Sequence, residues 1–309
     1  MKTVEIMKTK AFMAMAALAL VAAACNNDDE ITDNWNGEIR LSSGLAVQQT
    51  RANSTDVPDK QIAENQVIGI YVTGVTGEPD TSYGYSNVSA KADGNGNFSD
   101  YSTTMYYPQS GKDVKISAYH PHNSDTNDSY DFVVATDQSE LEDYAASDLL
   151  YSEEKTYTRS KTAQSLTFKH QLAKVTYTLI SGAGSPDLTG ATVEIMTPER
   201  AVNFNRKTGA VATASTSTNS DNVKFGATYG AIIPAQTYTK GSKFLKVTLA
   251  KGGVLYYTIP NEADDEDLAL TGGNVYTFNI TVNLTGLTIT SAISEWTPIS
   301  AITGTAEME

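Results

Sequence analysis

The chain has 309 residues, a length that suggests about two domains. Hydrophobic residues make up 40% and charged residues 19%, which excludes a wholly disordered chain and leaves apolar material for packed cores. A formal charge of -14, from 22 basic and 36 acidic side chains, argues against a nucleic-acid binder, which needs a positive footprint, and a single cysteine excludes an intramolecular disulfide and a thiolate metal site.

In chain order the first feature is a charged, then apolar, N-terminus. Lys2, Lys8 and Lys10 precede an uncharged run from Ala11 to Ala24. The run is shorter than the about 20 residues of a membrane-spanning helix, so it reads as the apolar core of an export signal. Ala22, Ala23 and Ala24 lead directly into Cys25. That arrangement resembles a bacterial lipobox, with alanine where leucine is commoner three positions before the cysteine. It implies a signal peptide over 1–24, cut before Cys25, with the thiol acylated and the chain held at the outer membrane by lipid. Asn26-Asn27-Asp28-Asp29-Glu30 follows, within an expected tether over 25–37. Like charges would keep it extended, and the acidic stretch resembles the surface-export signal of Bacteroides-type lipoproteins.

Beyond residue 38 the periodicity is two, not 3.6. Ile39, Leu41, Leu45 and Val47 alternate with polar or small residues. Further strands are expected at Val67–Thr73, Val114–Tyr119, Ser165–Lys169, Leu172–Ile180 and Thr192–Met196, and then at Tyr229–Ile233, Phe244–Leu249, Val254–Ile259 and Val275–Val282. Threonine, valine, isoleucine and tyrosine fill them, as a half-buried pleated surface favours. Turn signals separate them at Gly74–Gly77, Asp93–Gly96, Lys251–Gly253 and Gly272–Asn274. The Lys251-Gly252-Gly253 group predicts a tight hairpin. Ser139–Ala146 alone reads as a short helix. Many short strands with frequent turns predict an all-β chain of sandwiches. The polar stretch Lys155–Thr162 suggests a boundary between one sandwich over 38–160 and a second over 161–309, and Ala212–Asn222 reads as a long exposed loop.

Catalytic equipment is sparse. His120-Pro121-His122 supplies two imidazoles, but only Asp125 and Asp128 lie near in sequence, and zinc needs three or four converging ligands. His170, between Phe168 and Leu172, reads as a hydrogen-bonded structural histidine. Asp93, Asn95 and Asn97 alternate like calcium ligands, as do Asp125, Asn127, Ser129 and Asp131. The first series places Phe98 and Thr104 where an EF-hand needs glycine and glutamate, so Asx-rich turns explain both. Glu262–Asp267 reads as a solvated loop. No nucleophile elbow or phosphate loop is present, and no cofactor or metal is expected. Seventeen tyrosines against eight phenylalanines suit either ordinary strands or a surface for sugars or proteins.

One set of motifs, in this order, resembles the fimbrillin family of Bacteroides-type pili (FimA-like or Mfa-like proteins). The lipobox cysteine and acidic stretch lead to a first strand ending in Thr50-Arg51-Ala52. Val67-Ile68-Gly69-Ile70-Tyr71-Val72, Tyr106-Tyr107-Pro108-Gln109-Ser110-Gly111 and Val114–Pro121 follow. Asp148-Leu149-Leu150-Tyr151 and Leu166–Val175 complete the set, which spans nearly the whole chain after the signal. The resemblance implies two transthyretin-like Greek-key β-sandwich domains, no enzymatic activity, and a shaft, tip or anchor subunit of a surface fimbria. It also implies that an arginine-specific protease releases the first strand with the lipid, and that a strand from a neighbouring subunit fills the groove. On this chain the cut falls between Arg51 and Ala52, with Arg40 and Arg159 as rival sites.

The first strand then presents Ile39, Leu41, Ser43, Leu45 and Val47 to its groove. Leu287, Ile289, Ser291 and Ile293 repeat the first four residue types, while Glu295 departs at the fifth. That segment is the candidate donor, with Trp296–Ile302 as an alternative, and both segments can equally be ordinary strands of their own domains. The expected partners are other fimbrial subunits, the outer membrane through Cys25, and a host or bacterial surface ligand. The alternative is a surface lipoprotein that does not polymerise and acts as an anchor or as an adhesin for glycans or host protein.

Overall fold

A computed structural model describes residues 35–45, 61–216, 220–226, 228–284, 286–295 and 302–307. The first-half strands are β1 (Leu41–Leu45), β2 (Val67–Gly74), β3 (Gly84–Ala92), β4 (Phe98–Ser99), β5 (Val114–His120), β6 (Ser129–Val133), β7 (Leu150–Tyr157) and β8 (Gln164–His170). Next come β9 (Ala173–Ser181), β10 (Thr192–Ile195), β11 (Ala201–Asn205), β12 (Val211–Thr213), β13 (Val223–Lys224), β14 (Ala231–Ile233) and β15 (Gln236–Tyr238). The last are β16 (Lys243–Thr248), β17 (Val254–Thr258), β18 (Leu268–Leu270), β19 (Asn274–Asn283), β20 (Gly286–Glu295) and β21 (Ile302–Glu307). One helix, α1 (Leu141–Ala146), lies among the described residues and carries Glu142 and Asp143 in its first turn, where the helix dipole favours acid. The chain is therefore all-β in class.

Seven strands form the first sheet in the order β1-β8-β7-β5-β2-β3-β4. Its interior strand β2 buries five consecutive residues, Ile68 to Val72, because both of its faces are covered. In the second half, β14-β9-β19-β20-β21 form one sheet and β13-β10-β16-β17 another. In β19, Tyr276, Phe278, Ile280 and Val282 are buried at every second position. They share one core with Val193, Ile195, Phe244, Leu245, Val247 and Leu255 of the other sheet. Phe244 and Phe278 lie 5.2 Å apart between the two sheets, which gives sandwich packing. The β16–β17 hairpin turns at Lys251-Gly252-Gly253, as the sequence predicts.

The boundary drawn between 160 and 161 falls between two paired strands. β7 pairs with β8 at Leu150↔His170 and Tyr151↔Lys169, so Gln164–His170, assigned to the second sandwich, belongs to the first sheet. β7 also runs through Tyr157 into the stretch read as a linker. Its residues Glu153–Thr156 are exposed, so this half of the strand reads as polar. β6 pairs with β11 along Ser129–Val133 and Ala201–Asn205, tying the halves together. An aromatic core lies at that junction, where Phe204 meets Tyr119 at 6.0 Å, Tyr130 at 6.0 Å and Tyr151 at 6.3 Å.

Candidate functional site

The site is the first strand and the seat that holds it. Ile39 and Leu41 are 2% and 3% exposed, while Arg40 between them is exposed, so the expected alternation holds from Ile39 to Leu41. On one side β1 runs parallel to β8, with Leu41↔Gln164, Ser43↔Leu166 and Leu45↔Phe168 in register. The Gln164 N–H donates to the Arg40 carbonyl at 2.8 Å. On the other side the chain around Gly96 and Met105–Tyr107 closes over it. The Ile39 N–H donates to the Met105 carbonyl at 2.8 Å, the Tyr107 N–H to the Gly37 carbonyl at 2.8 Å, and the Ser43 N–H to the Gly96 carbonyl at 2.7 Å. The first strand is thus a short insert between two unrelated segments.

Two glycines make that fit possible. Gly37 has φ +92° and is buried, and a Cβ there would stand 2.9 Å from the Arg159 guanidinium. Gly96, also at φ +92°, would put a Cβ 3.0 Å from the Ser43 carbonyl oxygen. Only glycine adopts this left-handed backbone without strain and leaves the strand room to approach. In the adjoining β8, Leu166 and Phe168 are fully buried, and the Phe168 ring meets Phe98 at 6.5 Å. Burial pushes the Tyr101 hydroxyl up to about 12, opposed by a hydrogen bond from the Leu41 backbone.

Filling the seat with Ile39 and Leu41 contributes about 1.5–3 kcal/mol each, and each backbone bond a net 0.5–1.5 kcal/mol or so. One position detracts. The Ser43 Oγ is buried with no hydrogen-bond partner, and an orphaned hydroxyl costs about 1–3 kcal/mol.

Cys25, Val47, Arg51 and Ala52 lie outside the described residues, and for Leu45 only the backbone is described. The rival arginines are both described. Arg40 is bonded through its backbone into the seat, and Arg159 is exposed in the link between β7 and β8. The candidate donor segment forms β20, paired with β19: Leu287, Ile289, Ser291 and Ile293 stand opposite Val282, Ile280, Phe278 and Tyr276. β21, which begins at Ile302, pairs outside β20 at the sheet edge. The seat residues Gly96, Met105 and Tyr107 escaped sequence reading as partners of the first strand. The glycine-rich turn Asp93–Gly96 marked a bend there but not what the bend receives.

The histidines and acidic turns serve structure. His170 Nδ1 lies 2.8 Å from Asp148 Oδ1, and His120 Nδ1 lies 2.8 Å from the Asp148 carbonyl. The Asn97 side-chain amide donates to Asp93 Oδ2 at 2.9 Å, and Asp93 Oδ1 accepts the N–H groups of Asn97 and Asn95 at 2.9 and 2.7 Å, an Asx turn whose bonds hold the carboxylate below the usual range. Arg206, 1% exposed, donates to the Asn123 carbonyl at 2.8 Å and to the Asp125 carbonyl, clamping the second calcium-like stretch.

Comparison with known proteins places this geometry. The family model described as fimbrillin-like matches residues 50–296. A curated Bacteroides uniformis protein, Fim1C, provisionally named a fimbrium subunit, is 25% identical over 94% of this chain and 96% of that one. Two solved structures share the fold, both described as candidate cell adhesion proteins. One, from Bacteroides uniformis, is 19% identical with a TM-score of 0.62 over 84% of this chain and 98% of that chain. The other, from Bacteroides ovatus, is 18% identical with a TM-score of 0.64 over 85% and 99% respectively.

Proposed function

The chain belongs to the fimbrillin-like family, and from that premise we propose that it is a subunit of a cell-surface fimbria that assembles by exchange of its first strand. The family is structural rather than enzymatic, so the function rests on surfaces that pair. One observation supports the reading: Gly37–Leu45 is held between β8 on one side and the segments around Gly96 and Met105–Tyr107 on the other, all of them distant in sequence. Removing it would open the edge of β8 beside Leu166 and Phe168 and leave the N–H groups of Tyr107 and Gln164 without the carbonyls they now bond. Such a vacancy is relieved by another strand, through backbone pairing for affinity and side-chain fit for register.

The cut that vacates the seat is between Arg51 and Ala52. Arg40 is a poor substrate, because a protease needs an extended, unpaired segment, whereas the Arg40 carbonyl accepts the Gln164 N–H and its neighbour Ile39 donates to Met105. The incoming strand is the C-terminal segment of a neighbouring copy, Leu287–Ile293 or the alternative Trp296–Ile302. Cys25 carries the lipid that holds the precursor at the outer membrane, and the cut removes it. The two-sandwich organisation belongs to the same reading, with the first ending after β8.

N-terminal sequencing of the protein recovered from cells tests this reading. The expected sequence begins Ala52-Asn53-Ser54, and an Arg51→Ala chain keeps its lipidated Cys25. Recovery of the unmutated protein with Cys25 as its first residue would instead support a lipoprotein that does not polymerise.

A further inference from the structure

A cleft of about 690 Å3 opens where the turn between β2 and β3 faces the segment before β5. Its walls include Glu78, Asp80, Tyr83, Tyr85, Tyr106 and Gln109. The volume is within the roughly 300–1,000 Å3 of small-molecule sites.

The tyrosines are fixed in place. The Tyr83 hydroxyl donates to the Tyr106 carbonyl at 2.7 Å, and the Tyr106 N–H donates to the Tyr85 hydroxyl oxygen at 3.0 Å. The Tyr83 and Tyr85 rings meet edge to face at 88° and 6.0 Å, forming a rigid corner. Tyr106 is 37% exposed. With two hydroxyls spent on backbone, the walls offer carbon ring surface. The rim offers acceptors. Glu78 takes the Asp80 N–H on one oxygen at 3.2 Å and the Ser110 hydroxyl on the other at 2.7 Å. Asp80 Oδ1 takes both the N–H and the hydroxyl of Ser82, and neither bond uses Oδ2.

We propose that this cleft binds an uncharged glycan. The apolar C–H face of a sugar ring lies against tyrosine rings, and sugar hydroxyls donate to the carboxylate oxygens. Two carboxylates on a chain of charge -14 repel sialylated or sulfated sugars. A proline-rich peptide also fits aromatic walls, but proline has no N–H, so it offers acceptors where the rim needs donors. An added peptide strand is also disfavoured, because both backbone groups of Tyr106 are already bonded. The site goes beyond the assembly reading and does not depend on it, since it needs neither the cut at Arg51 nor a second copy.

The test is binding of the full, uncut chain to an array of neutral oligosaccharides of two to six hexose units, beside sialylated and sulfated counterparts and an arginine-flanked decaproline peptide. The strongest neutral binder is then titrated calorimetrically. The expected result is binding to a neutral glycan that weakens about tenfold or more in Tyr106→Ala, is kept in Tyr106→Phe, and weakens in Asp80→Ala. Unchanged thermal unfolding of these variants excludes misfolding as the cause. Preference for the decaproline peptide or for an acidic sugar, binding indifferent to Tyr106→Ala, or no binding to any neutral glycan at millimolar concentration would overturn the proposal.

Discussion

Single residues set how firmly the first strand is held. Ser43 is the weak point of an otherwise apolar insert, with its Oγ buried and unpaired. Ser43→Ala removes the orphan without opening a large cavity, so it is expected to raise stability by about 1 kcal/mol in denaturant unfolding and to slow release of the strand after a cut. His120 sets a pH limit. It is buried, and desolvation pushes its imidazole below the ordinary 6.5, against the pull of the Asp148 carbonyl and carboxylate. The folded chain therefore prefers the neutral ring, and the unfolded chain takes the proton first. Stability from this residue is intact above about pH 6.5 and falls as the pH drops below it. His120→Gln is expected to flatten the dependence of unfolding free energy on pH between about 6.5 and 5 relative to the unmutated chain. An unchanged slope would assign the dependence elsewhere.

At the scale of elements, the seat can be watched directly. The amides of Tyr107 and Gln164 donate to the first strand, while those of Ile70 and Ile280 lie in strands of the sheets away from it. Hydrogen exchange should show Tyr107 and Gln164 losing protection when the first strand leaves, with Ile70 and Ile280 unchanged. Legibility differed among elements for physical reasons. β2, β5, β9, β16, β17 and β19 were readable because β-branched and aromatic residues fill them. β3, with the sequence GYSNVSAKA, was not, because its first half, Gly84–Asn87, buries no residue and its buried set is only Val88, Ala90 and Ala92. β6 and β11 were missed because each is short and gains its core only by pairing across the chain, where Phe132 and Phe204 are buried. The alternation of Ile39 and Leu41 was legible in sequence. Their parallel partner β8 was not, because nothing local encodes which distant strand a segment pairs with.

For the whole molecule, the two ends of the chain have related patterns and different surroundings. The first strand sits at the edge of the first sheet, while β20 lies between β19 and β21 in a sheet of its own, so a donor must leave existing partners before it can serve another copy. On the proposed route, exchange between copies would trade one set of strand contacts for another, driven by the seat that a cut at Arg51 would leave bare. Before the cut the seat is filled and the chain is expected to stay monomeric. A subunit cut at Arg51 would carry no cysteine, so no disulfide between copies would contribute to the durability of the joint. The most direct measurement is limited trypsin treatment of the full-length chain and of its Arg51→Ala variant, followed by electrophoresis in SDS without boiling and mass mapping of each band. The account predicts a ladder of SDS-resistant multimers from the unmutated chain, each subunit beginning at Ala52, and none from the variant. A chain that is cut at Arg51 yet stays monomeric, or a ladder that forms equally in the variant, would contradict it.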